Sequence, residues 1–296
     1  MMKLSSIGRV ASFATIVLSA SISATASQAA TAGCNNAISH SVPNRKLGAA
    51  GGSEVMQQVL NISGPERDAV IERQILSGNM PAFQRRLTPV TLSGKGADGK
   101  VTDITICVTP EYLSVGSDAD YVRVPLGLPA AARIADNLGF FLPTPRMVDA
   151  IYQQAEVHLA PSPMEPTRQM SSTDYLVRHN VTVEKARTRA ARTPGSLTAG
   201  QKKDIVLTRR LLNAHGRVAI YGWHRTNGRP IQPLSTVHGA QYADYSHGVR
   251  LVAPTALVNG EPRPLAEVLA DRDLAGIISS EGPIDNPDRL QASLYR

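Results

Sequence analysis

The 296-residue chain predicts an α+β fold: a mostly antiparallel sheet with helices packed on it, forming a single large domain. Three observations carry this. Strand-like runs come first, helical runs follow, and strands return in the last third. Regular β-α-β alternation, which would signal a parallel sheet, is missing. Neighbouring strand-like runs are joined by short Gly- and Asn-Gly-containing turns, the signature of hairpins.

The elements follow in chain order. Residues 1–30 read as a signal peptide and 31–52 as a small, polar, flexible lead. Residues 53–296 form the domain, with one candidate sub-boundary at 161–170. Ser63-Gly64-Pro65-Glu66 has the form of a capping box. Ala69, Val70, Ile75 and Leu76 give its helix an apolar stripe, and Gly78 stops it. Thr88 to Leu92 and Val101 to Val108 alternate as strands across the Gly94–Gly99 link. Tyr112–Val115 and Tyr121–Val124 predict a second hairpin. Helices follow at Pro129–Leu138 and from Thr144-Pro145, where Thr144 caps and Pro145 suits the first turn. Pro161 to Pro166 cannot be regular, and Ser172 to Arg192 reads as a helix with an exposed face. In the last third, Asp204–Leu207, Arg217–Trp223 and Tyr242–Val252 read as strands. Asn259-Gly260 marks a tight hairpin, and two short helices end the chain.

The N-terminus predicts export. Met1 to Arg9 is basic, Val10 to Ala20 is mostly apolar, and small-x-small sites follow at Ala24–Ala26, Ser27–Ala29 and Ala30–Ala32. The apolar core is shorter than the roughly 20 residues of a membrane span, and no other stretch is long enough, so no transmembrane helix is expected. The expected location is secreted or periplasmic. Thr31-Ala32-Gly33-Cys34 has the outline of a lipobox tail with Thr31 in place of the usual aliphatic residue, so a lipid on Cys34 is an alternative. The net charge is +7, without a dense basic stripe interleaved with aromatics, which argues against nucleic acid. A mild surplus suits anionic envelope polymers. No feature specifies an oligomeric state.

Cys34 and Cys107 are the two cysteines. In an oxidising compartment they most simply form one bridge. A thiol catalyst is the sharper alternative, but Cys107 lies in the β-like run Ile104–Val108 and not at a helix start, where a thiolate would be stabilised.

Chemistry concentrates between His215 and Arg250. Four of the seven histidines fall there, with the single tryptophan, Trp223. Histidine is the usual residue for proton transfer and metal ligation near neutral pH. Strand alternation places Tyr242, Asp244, Ser246 and Arg250 on one face, and Tyr245, His247, Val249 and Leu251 on the other. His247 is then either a general base set by burial or a half-buried histidine satisfied by a backbone carbonyl. His224, His238 and Asp244 offer a weak ligand set for a divalent metal, zinc by ligand type. Asp244 could instead pair with Arg250 or Arg225 on an exposed face.

Ser235-x-x-His238 followed by Asp244 loosely resembles the His…Asp ligand run of secreted D-Ala-D-Ala metallopeptidases. The interval here is one residue shorter, and the family's second His motif has no clean counterpart. Tyr245-Ser246-His247-Gly248-Val249 is similar to the histidine strand of papain-like cell-wall amidohydrolases, but neither cysteine is placed to serve it. The mature chain, especially Leu142–Pro145 and Pro233–Gly239, resembles a family of uncharacterised secreted bacterial proteins. That resemblance implies export and a shared fold, and supplies no activity.

The expectation is a hydrolase acting on an envelope or extracellular polymer. Its catalytic residues would be His238, His247 and Asp244, with Tyr242 or Arg225 stabilising developing negative charge. The alternative is a non-catalytic extracytoplasmic protein that binds a ligand or partner through the same residues.

Overall fold

The computed structural model describes Cys34, residues 42–190 and residues 194–296. The expected signal peptide and most of the lead lie outside the described residues. Among the described residues, no helix is long and apolar enough to cross a membrane.

The fold is α+β. The first hairpin forms as its alternation and turn require: β1 (Thr88–Lys95) pairs antiparallel with β2 (Val101–Val108), in register from Thr88↔Val108 to Lys95↔Val101. The last hairpin does likewise. Asn259 and Gly260 both take positive φ, 50° and 90°, as a two-residue turn demands, joining β11 (Val252–Val258) to β12 (Glu261–Pro264). The two hairpins assemble into one sheet, ordered β1-β2-β11-β12. Between them lie the pair β3 (Ser114–Gly116) and β4 (Tyr121–Arg123), and the short parallel pair β5 (Val157–His158) and β6 (Thr198–Ala199). A second four-stranded sheet has the order β10-β7-β8-β9, from β7 (Lys203–Ile205), β8 (Ile220–His224), β9 (Pro230–Ser235) and β10 (His247–Gly248).

Among the described residues eight helices pack on this frame: α1 (Gly52–Gln58), α2 (Gly64–Leu76), α3 (Leu128–Asn137), α4 (Pro145–Gln154), α5 (Thr173–Arg189), α6 (Leu265–Ala270), α7 (Ala275–Ile278) and α8 (Pro287–Ser293). Thr144 caps α4 by accepting from Met147 N at 3.2 Å. Ser63 makes no such side-chain cap, because Gly64 enters α2 at φ +56° and turns the chain there instead. Three short helices end the chain, one more than the sequence predicts. One apolar core runs through both large sheets, from Val90, Ile104 and Ile106 to Ile205, Ile220, Val249 and Val252, with Ile134 and Ile151 packed from α3 and α4.

The run Tyr242–Val252 departs from its predicted strand. Asp244 accepts from Ser246 N at 2.7 Å and Ser246 Oγ at 2.5 Å, and His247 N donates to Asp244 O at 3.1 Å. This carboxylate-centred turn bends the chain. Only His247–Gly248 pairs as a strand, parallel to Lys203–Asp204, before β11 starts at Val252. Residues of both parities, including Asp244, Tyr245, Ser246 and His247, are buried. From Ala243 to Val252 the segment is buried throughout and leads from the second sheet into the first, so only Tyr242 at its start reaches solvent.

Candidate functional site

The site is organised by the entry to β7. Gln201-Lys202-Lys203-Asp204 carries charge into an apolar strand. The sheet order β10-β7-β8 places His247, Lys203 and Gly222 side by side, with Lys203 in the middle. Gly222 (φ +103°) is followed by Trp223 at φ +56°. Positive φ at a bulky residue is uncommon and costs about 1–3 kcal/mol. It is held here by Trp223 N donating to Lys202 O at 3.0 Å, and Lys203 Nζ lies 5.0 Å from the indole centroid.

On this face four sequence-predicted residues come together. His238, exposed, stacks on Tyr242 at 4.4 Å between centroids, and Tyr242 meets His247 edge-on at 5.7 Å. Tyr242 OH donates to Asp244 Oδ2 at 3.1 Å, and Lys203 Nζ lies 4.0 Å from the same oxygen. Burial and the neighbouring Asp244 carboxylate hold the Tyr242 phenol protonated, with a pKa of about 12. Burial works to raise the Asp244 carboxyl, but His247, Lys203 and the Ser246 hydrogen bonds outweigh it, so the carboxyl stays ionised. His247 is fully buried with both ring nitrogens unpartnered, not satisfied by a carbonyl as one reading of the sequence expected. Burial pushes its pKa down to about 4 against the opposing pull of Asp244, so the ring is neutral near pH 7.

Behind this face, Lys202 is buried. Its ammonium reaches Tyr245 O at 2.5 Å and His179 Nδ1 at 3.1 Å. Burial, reinforced by the Arg123 charge, pushes Lys202 down to about 7, and burial with the Lys202 charge pushes His179 to about 2. Gln201 donates to Glu111 at 2.8 Å, and Glu111 pairs with buried Arg123 at 2.7 Å. Asp204 accepts from Tyr112 OH at 2.8 Å and faces Arg250 Nε at 3.9 Å. Burial raises the Asp204 carboxyl to about 6. The proline-rich segment crosses beside this layer: Tyr245 OH accepts from Met164 N at 2.8 Å, and Tyr175 OH donates to Glu165 O at 2.9 Å.

Buried polar side-chain atoms without a hydrogen bond concentrate here, two of them, Asp204 Oδ1 and Arg250 Nε, facing each other at 3.9 Å. Among the described residues they belong to Arg123, His179, Gln201, Asp204, Trp223, His247 and Arg250. Each of these side chains either belongs to the 201–204 stretch or meets it directly or through Glu111. Buried polar groups are nearly always satisfied, so this concentration of exceptions makes the face around residues 201–204 the candidate site.

Three sequence expectations are corrected. His224 does not join His238 and Asp244. Its Nε2 bonds Asp149 Oδ1 at 2.9 Å and its ring stacks on Tyr152 at 4.5 Å, because the turn at Gly222–Trp223 sends it to another wall. Among the described residues no group of three His, Cys, Asp or Glu side chains converges as a metal site requires, so the zinc set His224, His238 and Asp244 does not fit. Arg225 is exposed in the β8–β9 turn, where its N donates to Arg229 O, and the cation beside Asp244 is Lys203. Arg250 is fully buried and pairs with Asp204, not Asp244.

Sequence reasoning placed Trp223 in the segment but missed Lys202, Lys203 and His179. The available signal was the charged triplet Lys202-Lys203-Asp204 opening a β-branched run. No family model matches this chain, and no curated protein or solved structure matches it significantly.

Proposed function

We propose that the protein is an exported hydrolase that uses acid–base chemistry, without a bound metal, on an envelope or extracellular polymer. The reading is carried by the gradient of exposure along one contiguous set. His238 opens to solvent, Tyr242 is half-buried, and Asp244 and His247 lie beneath, with the His247 nitrogens unpartnered. His238 is the group placed to take a proton from water. Lys203, oriented by Asp244 and by the Trp223 face, stabilises the negative charge that develops on the attacked group. Tyr242 positions the His238 ring by stacking, and its hydroxyl fixes Asp244. His247, sealed and neutral, keeps the floor of the site free of positive charge, so that Lys203 is the cation there.

Export is part of the same proposal. It rests on the basic, apolar and small-residue order of the N-terminus and on the bridged cysteine pair. A bridged Cys34 has no thiol left for a lipid, which supports release over a lipid anchor. Mass spectrometry of the protein from its host should find a terminus between Ala26 and Ala32, and an intact Met1 on the mature pool would refute export.

The deciding experiment for catalysis incubates the purified mature protein with isolated peptidoglycan, polysaccharide and peptide substrates. The parent should release products, and His238→Ala should lose about 10²–10⁴-fold in turnover with an unchanged melting temperature. If the parent releases nothing, with or without added zinc, the hydrolase reading is wrong and a binding role replaces it.

A further inference from the structure

The basin on the other side of β8 is a second site, separate from the acid–base centre. It encloses about 600 Å³ between the free edge of β1, helix α4, Tyr221 of β8 and the loop at Glu281. This falls within the range of ligand sites, about 300–1,000 Å³.

Two independent observations say what it takes. The first is on the sheet edge. β1 is the outermost strand of its sheet, and at Thr91 its outward peptide groups are met by a side chain instead of a strand. Thr91 N donates to Gln154 Oε1 at 3.0 Å, and Gln154 Nε2 donates to Thr91 O at 2.8 Å. The Gln154 amide thus makes the two bonds a neighbouring peptide unit would make. Ser93, two residues along, also lines the basin and presents its backbone to the same edge by the strand period of two.

The second observation is the charge pattern. Asp149 is anchored from below: Tyr221 OH donates to it at 2.9 Å and His224 Nε2 holds it at 2.9 Å. Its carboxylate nevertheless stays 40 % exposed, towards the basin it lines. One turn earlier on α4, Arg146 also lines the basin and makes no hydrogen bond or ion pair with any described residue. On the far wall Arg210 and Glu281 neutralise each other at 3.7 Å. The charges left to a ligand are therefore one fixed anion and one uncommitted guanidinium, about a helical turn apart.

We propose that the basin binds a short extended peptide carrying both a cationic and an anionic side chain, by strand addition to β1. The peptide main chain takes over the Thr91 bonds from Gln154 and continues to Ser93. Its ammonium meets Asp149 and its carboxylate meets Arg146. Main-chain pairing supplies affinity and the charge pair supplies selectivity. His224 and Tyr221 are positioning residues, acting through Asp149.

The test titrates the full mature protein with the blocked hexapeptide acetyl-Thr-Lys-Val-Glu-Val-Thr-amide and follows backbone and side-chain amides by NMR. The amides of Thr91 and Ser93 and the Gln154 side chain should shift and saturate, with Kd in the range of about 0.1–1 mM. Replacing Lys and Glu of the peptide by Gln, or making Arg146→Ala or Asp149→Asn, should each weaken binding about tenfold. Gln154→Ala should tighten binding several-fold, because the internal competitor is gone; an amide that merely seals the edge predicts no gain. His238→Ala should bind the peptide like the parent, so failure of the hydrolase reading leaves this result untouched. Absence of saturable shifts at these amides, weaker binding by Gln154→Ala, or a chito-oligosaccharide moving the same amides when the peptide does not, would overturn the proposal.

Discussion

Lys202 and His247 set the pH dependence of stability, and both act in the same direction. Lys202 falls from 10.5 to about 7 on folding, so between these values the unfolded chain holds more protons than the native one. Stability then rises with pH across that window, and is lowest once Lys202 is charged in both states. His247 falls from 6.5 to about 4, so its contribution is intact above pH 6.5 and is lost as pH drops towards 4. Asp204, raised from 3.8 to about 6, opposes His247 in that acid window because its native form is the better proton binder. The alkaline window is free of that opposition until the tyrosines titrate. Urea unfolding at pH 7 and pH 9 should therefore show a gain of about 2 kcal/mol at the higher pH, by linkage. Lys202→Met should flatten the profile. A parent whose stability is level or falling from pH 7 to 9 would show that Lys202 keeps its ordinary affinity for the proton. Side-chain identity made the histidines visible in the sequence. It could not show which would be sealed, because His238 and His247 have the same chemistry and differ only in what packs over them.

The hairpins were legible because each couples a period of two to its own turn, and both cues are local. Asn259-Gly260 fixes β11 against β12 whatever the rest of the chain does. The segment 242–251 was misread because alternation is a guide only when one face meets water. Buried from Ala243 onwards, it follows Asp244, whose side chain competes with strand pairing for Ser246 N. Gly248 shows how tight the enclosure is. A Cβ there would sit 2.5 Å from the Tyr112 ring and 2.9 Å from Lys202 Cβ. Gly248→Ala should cost about 1–3 kcal/mol by overpacking. It should also perturb the site, because Gly248 is the residue after His247 and pairs with Asp204. Denaturant unfolding, together with the turnover assay that tests the proposed function, checks both effects. A fully stable Gly248→Ala variant would mean that the packing around β10 yields easily. The Gly222–Trp223 bend was equally hidden. Trp223 has no local reason for φ +56°, and the sequence in Arg217–Trp223 reads as an unbroken strand. That bend is what separates Trp223, turned to Lys203, from His224, turned to Asp149, and so sends neighbouring residues of one histidine-rich segment to two different walls.

At the scale of the whole molecule, the Cys34–Cys107 bridge joins the N-terminal end of the described chain to β2, the strand at the heart of the first sheet. Both cysteines are buried in the main core, and they are 73 residues apart in sequence. The chain-entropy model gives a loop of that size about 4 kcal/mol of stabilisation, taken from the freedom of the unfolded chain. The bridge encloses α1, α2 and β1, so its loss frees an entire flank and not a surface loop. Alanine at both positions keeps the sites apolar and removes only the link and two sulfur atoms, which makes the double variant a clean comparison. Its unfolding midpoint should fall by roughly 10 °C, and the parent with added dithiothreitol should fall by a similar amount. The proposed site, His238, Tyr242, Asp244, His247 and Lys203, lies outside the closed loop, so on the proposed function the variant should keep most of its activity below its own midpoint. Thiol titration of the denatured, unreduced parent fixes the premise independently: it should find no free thiol. Two free thiols would refute the bridge. An intact bridge with an unshifted midpoint would mean that the flank packs as tightly without it, and that the unfolded chain is already compact there.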